Sequence, residues 1–159
     1  MYNNEIEMYP DIVRWLENDL KQRYKLARNI IVLDTHDSDL SNFIMTLKFQ
    51  SFFPEFSTYK IRQDITGFIE FDNRVDLVFV ECKNTFLSLI SLSQLIGYSC
   101  IALPIYSILL SPQGMGSTLN KLIKSFGRKD ILEFRTNRKI QILKWDKNKQ
   151  DIDYAQSII

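Results

Sequence analysis

The chain has few of the residues that form disulfides or zinc sites, with two cysteines and one histidine among 159 residues. It also has only five glycines. Cys82 and Cys100 lack the paired spacing of zinc ligands and are too few for a disulfide framework. We expect both to be small buried hydrophobic residues of a protein kept in a reducing compartment. The sequence also lacks any apolar run near the ~20 residues that a membrane helix needs, which excludes a membrane-spanning class.

The composition is typical of a soluble globular protein, with 45% hydrophobic and 25% charged residues. The length predicts one domain, 1–159, with a hydrophobic core that needs no disulfide or metal. The opening residues, MYNNEIEMYPD, are acidic and contain no apolar signal core. We therefore expect a cytoplasmic protein without a membrane partner.

The charge is unevenly distributed along the chain, although the net charge is only +1. Residues 121–149 contain ten Lys and Arg against three Asp and Glu, a local net charge of +7. Such a segment predicts a surface that faces a polyanion such as DNA. A solvated helix and hairpin with ordinary surface lysines explains the charge equally well. The candidate DNA contacts are Lys121, Lys124, Arg128, Lys129, Arg135, Arg138 and Lys139.

Hydrophobic periodicity predicts helices and strands in the order αβαββαβαββ. Segment 5–28 has one apolar helical face. A strand is predicted at NIIVLD, followed by a helix that Pro54 ends and by strands at 64–71 and 75–82. Next come a helix at 85–98 and a strand at 106–110. A short helix between a Ser117 cap and Gly127 precedes two strands around a turn at 136–138. This order predicts an α/β domain with a mixed central sheet flanked by helices.

Three other features are predicted to be structural. The phenylalanines around Pro54 are expected in the core. His36, the only histidine, is expected in a polar loop, with a role as metal ligand or general base as the alternative. The stretch GMGSTLNK does not have the spacing of a phosphate-binding P-loop. A helix N-terminus is the simpler interpretation of that stretch.

The stretch DITGFIEFDNRVDLVFVECK contains two hydrophobic strands with charged residues at their ends. Residues two apart on a strand share a face, so Glu81 and Lys83 point the same way. A two-residue turn at 72–73 would place Asp64 opposite Glu81, and a turn at 73–74 would place it opposite Lys83. Either register brings the three side chains together, whereas a three-residue turn separates them unless a bulge intervenes.

Two carboxylates at one place repel each other, and a divalent cation removes that repulsion. Oxygen ligands suit Mg²⁺ or Mn²⁺, so Asp64 and Glu81 are the candidate metal ligands. Lys83 beside them would stabilise the attacking water or the charge that builds on a phosphate. The alternative is a surface strand pair in which Lys83 simply bridges Glu81.

These motifs resemble the PD-(D/E)XK nuclease superfamily. QDITG resembles its P-D-I-x-G position, with Gln63 in place of proline, and VFVECK resembles its hydrophobic strand ending in E-x-K. The resemblance is strongest over 60–112. It implies a restriction-endonuclease-like core, in which a helix, the hairpin, a second helix and a further strand carry the site.

Further along the chain, QLIGY resembles the Q-x-x-x-Y motif of the RecB-like and phage-exonuclease-like branch. That resemblance implies that Gln94 and Tyr98 contact or orient the substrate and the metal site, and their spacing of four puts them on one helix face. In many members a glutamate of the first helix completes the site. Glu5 and Glu7 are both candidates, and the sequence does not choose between them.

The sequence therefore predicts a metal-dependent nuclease that hydrolyses phosphodiester bonds of DNA. The expected substrate is single-stranded DNA, a DNA end or a branched structure, and a homodimer is one expected arrangement. A Holliday-junction resolvase is an alternative within this class. Outside it, the alternative is a nucleic-acid-binding or assembly module that keeps the fold without catalysis.

Overall fold

The computed structural model describes residues 2–159. Seven strands form one sheet: Asn29–Asp34 (β1), Ile65–Glu70 (β2), Val75–Cys82 (β3), Tyr106–Ser111 (β4), Glu133–Arg135 (β5), Arg138–Asp146 (β6) and Asp151–Ile152 (β7). The α-helices are Tyr9–Arg23 (α1), Leu40–Thr46 (α2), Leu89–Ala102 (α3) and Ser117–Asn120 (α4), the last continuing as a π-helical turn, Lys121–Ser125. The 3₁₀ turns are Ile6–Met8, Gln50–Phe52, Phe56–Thr58, Lys129–Leu132 and Tyr154–Gln156.

The sheet is mixed, with the strand order β1-β2-β3-β4-β6-β5 and with β7 paired to β6. The pairs β1–β2, β2–β3, β5–β6 and β6–β7 are antiparallel, and β3–β4 and β4–β6 are parallel. The final residues of β3, β4 and β6 therefore lie at one edge of the sheet, together with the first residues of β2. The prediction of an α/β domain with a mixed central sheet is confirmed.

Helices cover both faces of the sheet, and β3 shows why. Its alternate residues Val78 and Val80 pack in the layer beneath α1, while Leu77 and Phe79 pack in the layer that contains α3. A strand buried on both faces reads as a continuous hydrophobic run, which is what the sequence of β3 shows.

Helix α1 lies close to the sheet because Gly67 of β2 has no side chain. A Cβ atom at Gly67 would lie 3.1 Å from Leu20 Cδ1 of α1 and 3.2 Å from Val78 Cβ. Both neighbours are fully buried, so neither has room to move away. This close packing places the N-terminal residues of the chain over one end of the β2–β3 hairpin.

Several sequence predictions need correction. Helix α2 ends at Thr46, well before Pro54, because the chain turns through a left-handed conformation at Lys48 (φ 60°). Helix α3 starts later than predicted, after Ser88, whose side chain accepts a hydrogen bond from the Ser91 N–H. The N-cap of α4 is Gly116 rather than Ser117, which is the first helical residue.

The cysteine prediction is half right. Cys82 is buried, whereas Cys100 is exposed, and both are free thiols. The phenylalanines around Pro54 do contribute to the core, with Phe49 and Phe53 buried and Phe52 partly buried against them. Strand β7 was missed because two residues are too few to show periodicity.

Candidate active site

The β2–β3 hairpin closes through a two-residue turn, as the first of the two registers predicted. Phe71 N–H donates a hydrogen bond of 2.8 Å to the carbonyl of Arg74 across residues 72–73. In the ladder Ile65 lies opposite Val80. The next position along this register sets Asp64 against Glu81, at the edge where β3 ends.

Glu81 and Lys83 form an ion pair at this edge. Lys83 Nζ donates to Glu81 Oε1 at 2.8 Å and lies 3.5 Å from Glu5 Oε2. Glu81 is 4% exposed and Lys83 23% exposed, so the pair is largely removed from solvent. The four residues Glu5, Asp64, Glu81 and Lys83 are called the carboxylate–lysine cluster below.

The structure distinguishes between the two N-terminal glutamates. Glu5 precedes the 3₁₀ turn that leads into α1, and its carboxylate reaches Lys83. Glu7 instead accepts hydrogen bonds from the backbone and side chain of Asn3 at 2.9 Å. Glu5 therefore belongs to the cluster, and Glu7 is engaged in a local contact.

Asp64 is held from two sides. Its Oδ1 accepts a hydrogen bond of 2.7 Å from the Tyr9 hydroxyl, and its Oδ2 accepts one of 2.7 Å from the Cys82 N–H. A carboxylate has about four lone-pair positions, so both oxygens keep acceptor capacity for a further partner. Asp64 is therefore fixed in orientation, and its two oxygens can still accept bonds from a further partner.

The cluster is crowded with negative charge, and the pKa values reflect that. Burial, followed by the charge of Asp64, raises the pKa of Glu81 to about 7 against the opposing effect of Lys83. Burial also raises the pKa of Asp64, although the Cys82 N–H, the Tyr9 hydroxyl and Lys83 oppose it. Burial disfavours the charged form of Lys83, but the hydrogen bond and charge of Glu81 outweigh this and raise its pKa.

An open cavity gives access to the cluster. Its lining includes two cluster residues, Glu5 and Asp64, and also Asn4, Ile6, Tyr9, His36 and Asn84. Sequence reasoning missed Tyr9 and Asn84, and for His36 it favoured a polar loop over a metal or general-base role. A signal for Tyr9 existed, because it follows Glu5 by four residues and so shares a helical face with it.

The donor set of the cluster fits a hard divalent cation in its chemistry, since carboxylate oxygens are the ligands that Mg²⁺ prefers. Burial and the charge of Asp64 raise the pKa of Glu81, and a cation at this place would favour the ionised form of both carboxylates. In the described residues, 2–159, no group of three or more His, Cys, Asp or Glu side chains is arranged to hold a metal ion. Lys83 supplies the positive charge between Glu81 and Glu5.

Gln94 and Tyr98 lie on α3, on the side of the sheet that contains Phe79. Gln94 is exposed, and Tyr98 is half-buried against the core. No hydrogen bond among residues 2–159 joins either side chain to the carboxylate–lysine cluster. Their roles in substrate contact stay predictions.

Two of the seven candidate DNA-contacting residues already have strong partners. Arg128 forms two hydrogen bonds of 2.7 Å to Asp130. Arg138 donates to the carbonyl of Leu103 at 2.7 Å and to that of Pro104 at 3.2 Å. Arg138 therefore fixes the connection between α3 and β4.

The basic residues also lie at different ends of the sheet. Arg135, Arg138 and Lys139 surround the turn into β6, and β6 runs parallel to β3 through β4, so this turn is at the edge opposite the cluster. Lys121, Lys124 and Lys129 are exposed between α4 and β5. Lys121 and Lys124 come directly after α4. Just before α4, Met115 forms an isolated parallel β-bridge with Leu87, which lies in the segment after Lys83.

The chain between residues 2 and 159 contains no helix with the length and apolarity to cross a membrane. Comparisons with protein-family models, with curated proteins and with solved structures find no match to this chain. The family assignment therefore stays a prediction that depends on the motifs.

Proposed function

We propose that this chain is a metal-dependent nuclease that hydrolyses phosphodiester bonds of DNA. The observation that supports it is the meeting of Asp64, Glu81 and Lys83 at one sheet edge, with Glu5 added from the N-terminal segment. The order α1, antiparallel β1–β2–β3, α3 and parallel β4 is the order expected of a restriction-endonuclease-like core, and we propose that the fold belongs to that type.

In this proposal Asp64 and Glu81 would hold Mg²⁺ or Mn²⁺. Glu5 would join them as a third acidic ligand on metal binding, since in residues 2–159 the three side chains are not arranged around one metal position. The ion, when bound, polarises the phosphate and makes water a stronger nucleophile. Lys83 orients the attacking water and stabilises the negative charge that grows on the phosphate oxygens. The hydrogen bonds from Tyr9 and the Cys82 N–H orient Asp64, and they lower its pKa against the larger effect of burial.

The proposed substrate is DNA, held in part by Lys121 and Lys124 on the exposed side of the α4 region. Each phosphate contact made by such a lysine adds to the salt dependence of binding. The Q-x-x-x-Y motif at Gln94 and Tyr98 favours a single strand or a DNA end as the substrate. A branched junction, cut by a homodimer, is the alternative.

The test is cleavage of single-stranded, duplex and branched DNA in the presence of Mg²⁺, with Mg²⁺ removed by chelation as the first control. Lys83→Ala is expected to slow cleavage by about 100-fold or more, because it removes a group that stabilises charge in the transition state. Lys25→Ala is the matched control, since Lys25 is exposed and distant in sequence from every cluster residue. Equal activity in the wild type and Lys83→Ala would contradict the proposal. Salt-dependent DNA binding without cleavage would favour the non-catalytic binding module.

A further inference from the structure

His36 lies in the same cavity as the carboxylate–lysine cluster although it is not part of that cluster. The reason is the pairing of β1 with β2: Asp34 lies opposite Ile65, and the Thr35 N–H donates to the carbonyl of Asp64 at 2.9 Å. The residue after Thr35 therefore emerges next to Asp64. His36 is the only imidazole in the chain.

The His36 ring is held in one orientation. Its Nδ1 lies 2.6 Å from Asp34 Oδ1, and its backbone N–H donates to the same oxygen at 3.2 Å. The ring also packs against the Tyr9 ring, with the centroids 5.3 Å apart. With Nδ1 engaged by Asp34, Nε2 is the nitrogen that stays available to another molecule. The hydrogen bond to Asp34, aided by nearby acidic charges, raises the pKa of His36.

The groups around Asp64 fall into two sets by their contacts. Lys83 contacts Glu81 and Glu5, whereas the Tyr9 hydroxyl donates to Asp64 and the Tyr9 ring packs on His36. In a phosphoryl transfer the attacking and leaving oxygens lie roughly in line, on opposite sides of the phosphorus. With the attacking water held by Lys83, the leaving oxygen of a phosphate at Asp64 lies away from Lys83, and His36 is a proton donor that lines the cavity beside Asp64, whereas Lys83 does not line it.

We propose that His36, oriented by Asp34, is the general acid that protonates the leaving oxygen of the phosphodiester. This inference rests on the proposed nuclease function and adds a catalytic residue to it. Water forms a new P–O bond and releases one proton to solvent, while the bond from phosphorus to the leaving oxygen breaks. That oxygen takes the Nε2 proton of His36 and departs as an alcohol, and the imidazole regains a proton from solvent.

The experiment compares two oligonucleotides with the same sequence, one with a normal phosphodiester and one with sulfur in place of the leaving oxygen. A thiolate departs without protonation because a thiol is far more acidic than an alcohol. His36→Ala and His36→Gln are expected to slow cleavage of the oxygen ester by about 100-fold. Both are expected to slow cleavage of the sulfur ester by less than about 3-fold, since that bond needs no acid. Glutamine is informative because it donates a hydrogen bond but transfers no proton.

Equal slowing of both esters, or no slowing of either, would overturn the role of His36 while leaving the nuclease proposal intact. Failure of the wild type to cleave either ester with Mg²⁺ would instead refute the nuclease function, and the role of His36 with it. The melting temperature of each variant checks folding. His36 is about one-third exposed, so its removal leaves no buried cavity.

Asp34 is a positioning residue in this scheme, and its effect passes through His36. Asp34→Asn is expected to slow cleavage of the oxygen ester by about 10-fold, and to have no further effect in the His36→Ala background. In the metal-free protein, the ¹⁵N signals of the single histidine are expected to shift in Asp34→Asn, because a neutral amide replaces the carboxylate that accepts the hydrogen bond from Nδ1. If Asp34→Asn also slowed cleavage in the His36→Ala background, or if the ¹⁵N signals stayed unchanged, Asp34 would not be the residue that orients His36.

Discussion

The Tyr9 hydroxyl donates a hydrogen bond of 2.7 Å to Asp64 Oδ1, and this contact joins the start of α1 to the start of β2 across 55 positions of sequence. It ties the N-terminal segment that carries Glu5 to the hairpin that carries Glu81 and Lys83. The geometry of the candidate site therefore depends on the docking of α1 as well as on the hairpin.

Tyr9→Phe removes only this hydroxyl. The hydrogen bond lowers the pKa of Asp64, so its loss is expected to raise that pKa further and to weaken metal binding. We expect a loss of about 1–2 kcal/mol in the free energy of unfolding, measured with urea. Cleavage at limiting Mg²⁺ should slow and recover in part at higher Mg²⁺. Tyr154→Phe, at an exposed tyrosine, is the matched control.

Glu5→Gln and Glu7→Gln form a matched pair, two positions apart on the same segment. Only Glu5 reaches Lys83, so Glu5→Gln is expected to slow Mg²⁺-dependent cleavage by about 10-fold or more, a loss of roughly 1.4 kcal/mol in transition-state stabilisation. Glu7→Gln should alter the rate by less than about 2-fold because its partner is Asn3. If Glu7→Gln slowed cleavage more than Glu5→Gln, Glu7 rather than Glu5 would be the glutamate that belongs to the site.

Glu81 predicts how stability depends on pH in the absence of metal. Its pKa rises from an ordinary 4.5 to about 7 on folding, so between these values the folded protein holds a proton that the unfolded chain has released. The free energy of unfolding should therefore fall as the pH rises through this window, by up to about 3 kcal/mol. Denaturation in urea between these pH values measures it. In Glu81→Gln the free energy of unfolding should change much less with pH over this window. An unchanged pH dependence would show that another group causes it.

Divalent metal should stabilise the folded protein if Asp64 and Glu81 bind it. At Mg²⁺ or Mn²⁺ concentrations ten times the Kd, the stabilisation is about 1.4 kcal/mol. For a chain of this size that corresponds to a rise of roughly 3–5 °C in melting temperature. The double variant Asp64→Asn, Glu81→Gln should show no such rise. An equal rise in both proteins would place the metal at another site.

Arg138 and Lys139 are adjacent basic residues with different surroundings. Arg138→Ala leaves the carbonyls of Leu103 and Pro104 without their donor, at a residue, Leu103, that already has a left-handed conformation (φ 53°). The expected loss is about 1–3 kcal/mol in the free energy of unfolding. Lys139 is exposed, and Lys139→Ala should change stability by less than about 0.5 kcal/mol. Equal losses would show that the Arg138 contacts contribute nothing.

Some features of this protein could be predicted because they depend on neighbours in sequence. The two hydrophobic strands and the polar break between them predicted a hairpin in which either two-residue turn brings Asp64 to Glu81 and Lys83, and the structure has the turn that sets Asp64 against Glu81. The end of α2 was placed wrongly because Pro54 is a strong signal, whereas the left-handed turn at Lys48 has no residue signature.

The sequence by itself therefore determined the α/β class and the shared face of Asp64, Glu81 and Lys83 for either two-residue turn, and the structure selected the turn at 72–73. Only the tertiary structure decided that Glu5 rather than Glu7 reaches Lys83, and that His36 lines a cavity together with Glu5 and Asp64. Both outcomes follow from contacts between segments far apart in the chain, namely the packing of α1 on Gly67 and the pairing of β1 with β2. Periodicity and turn length act over a few residues, so they leave such contacts unspecified.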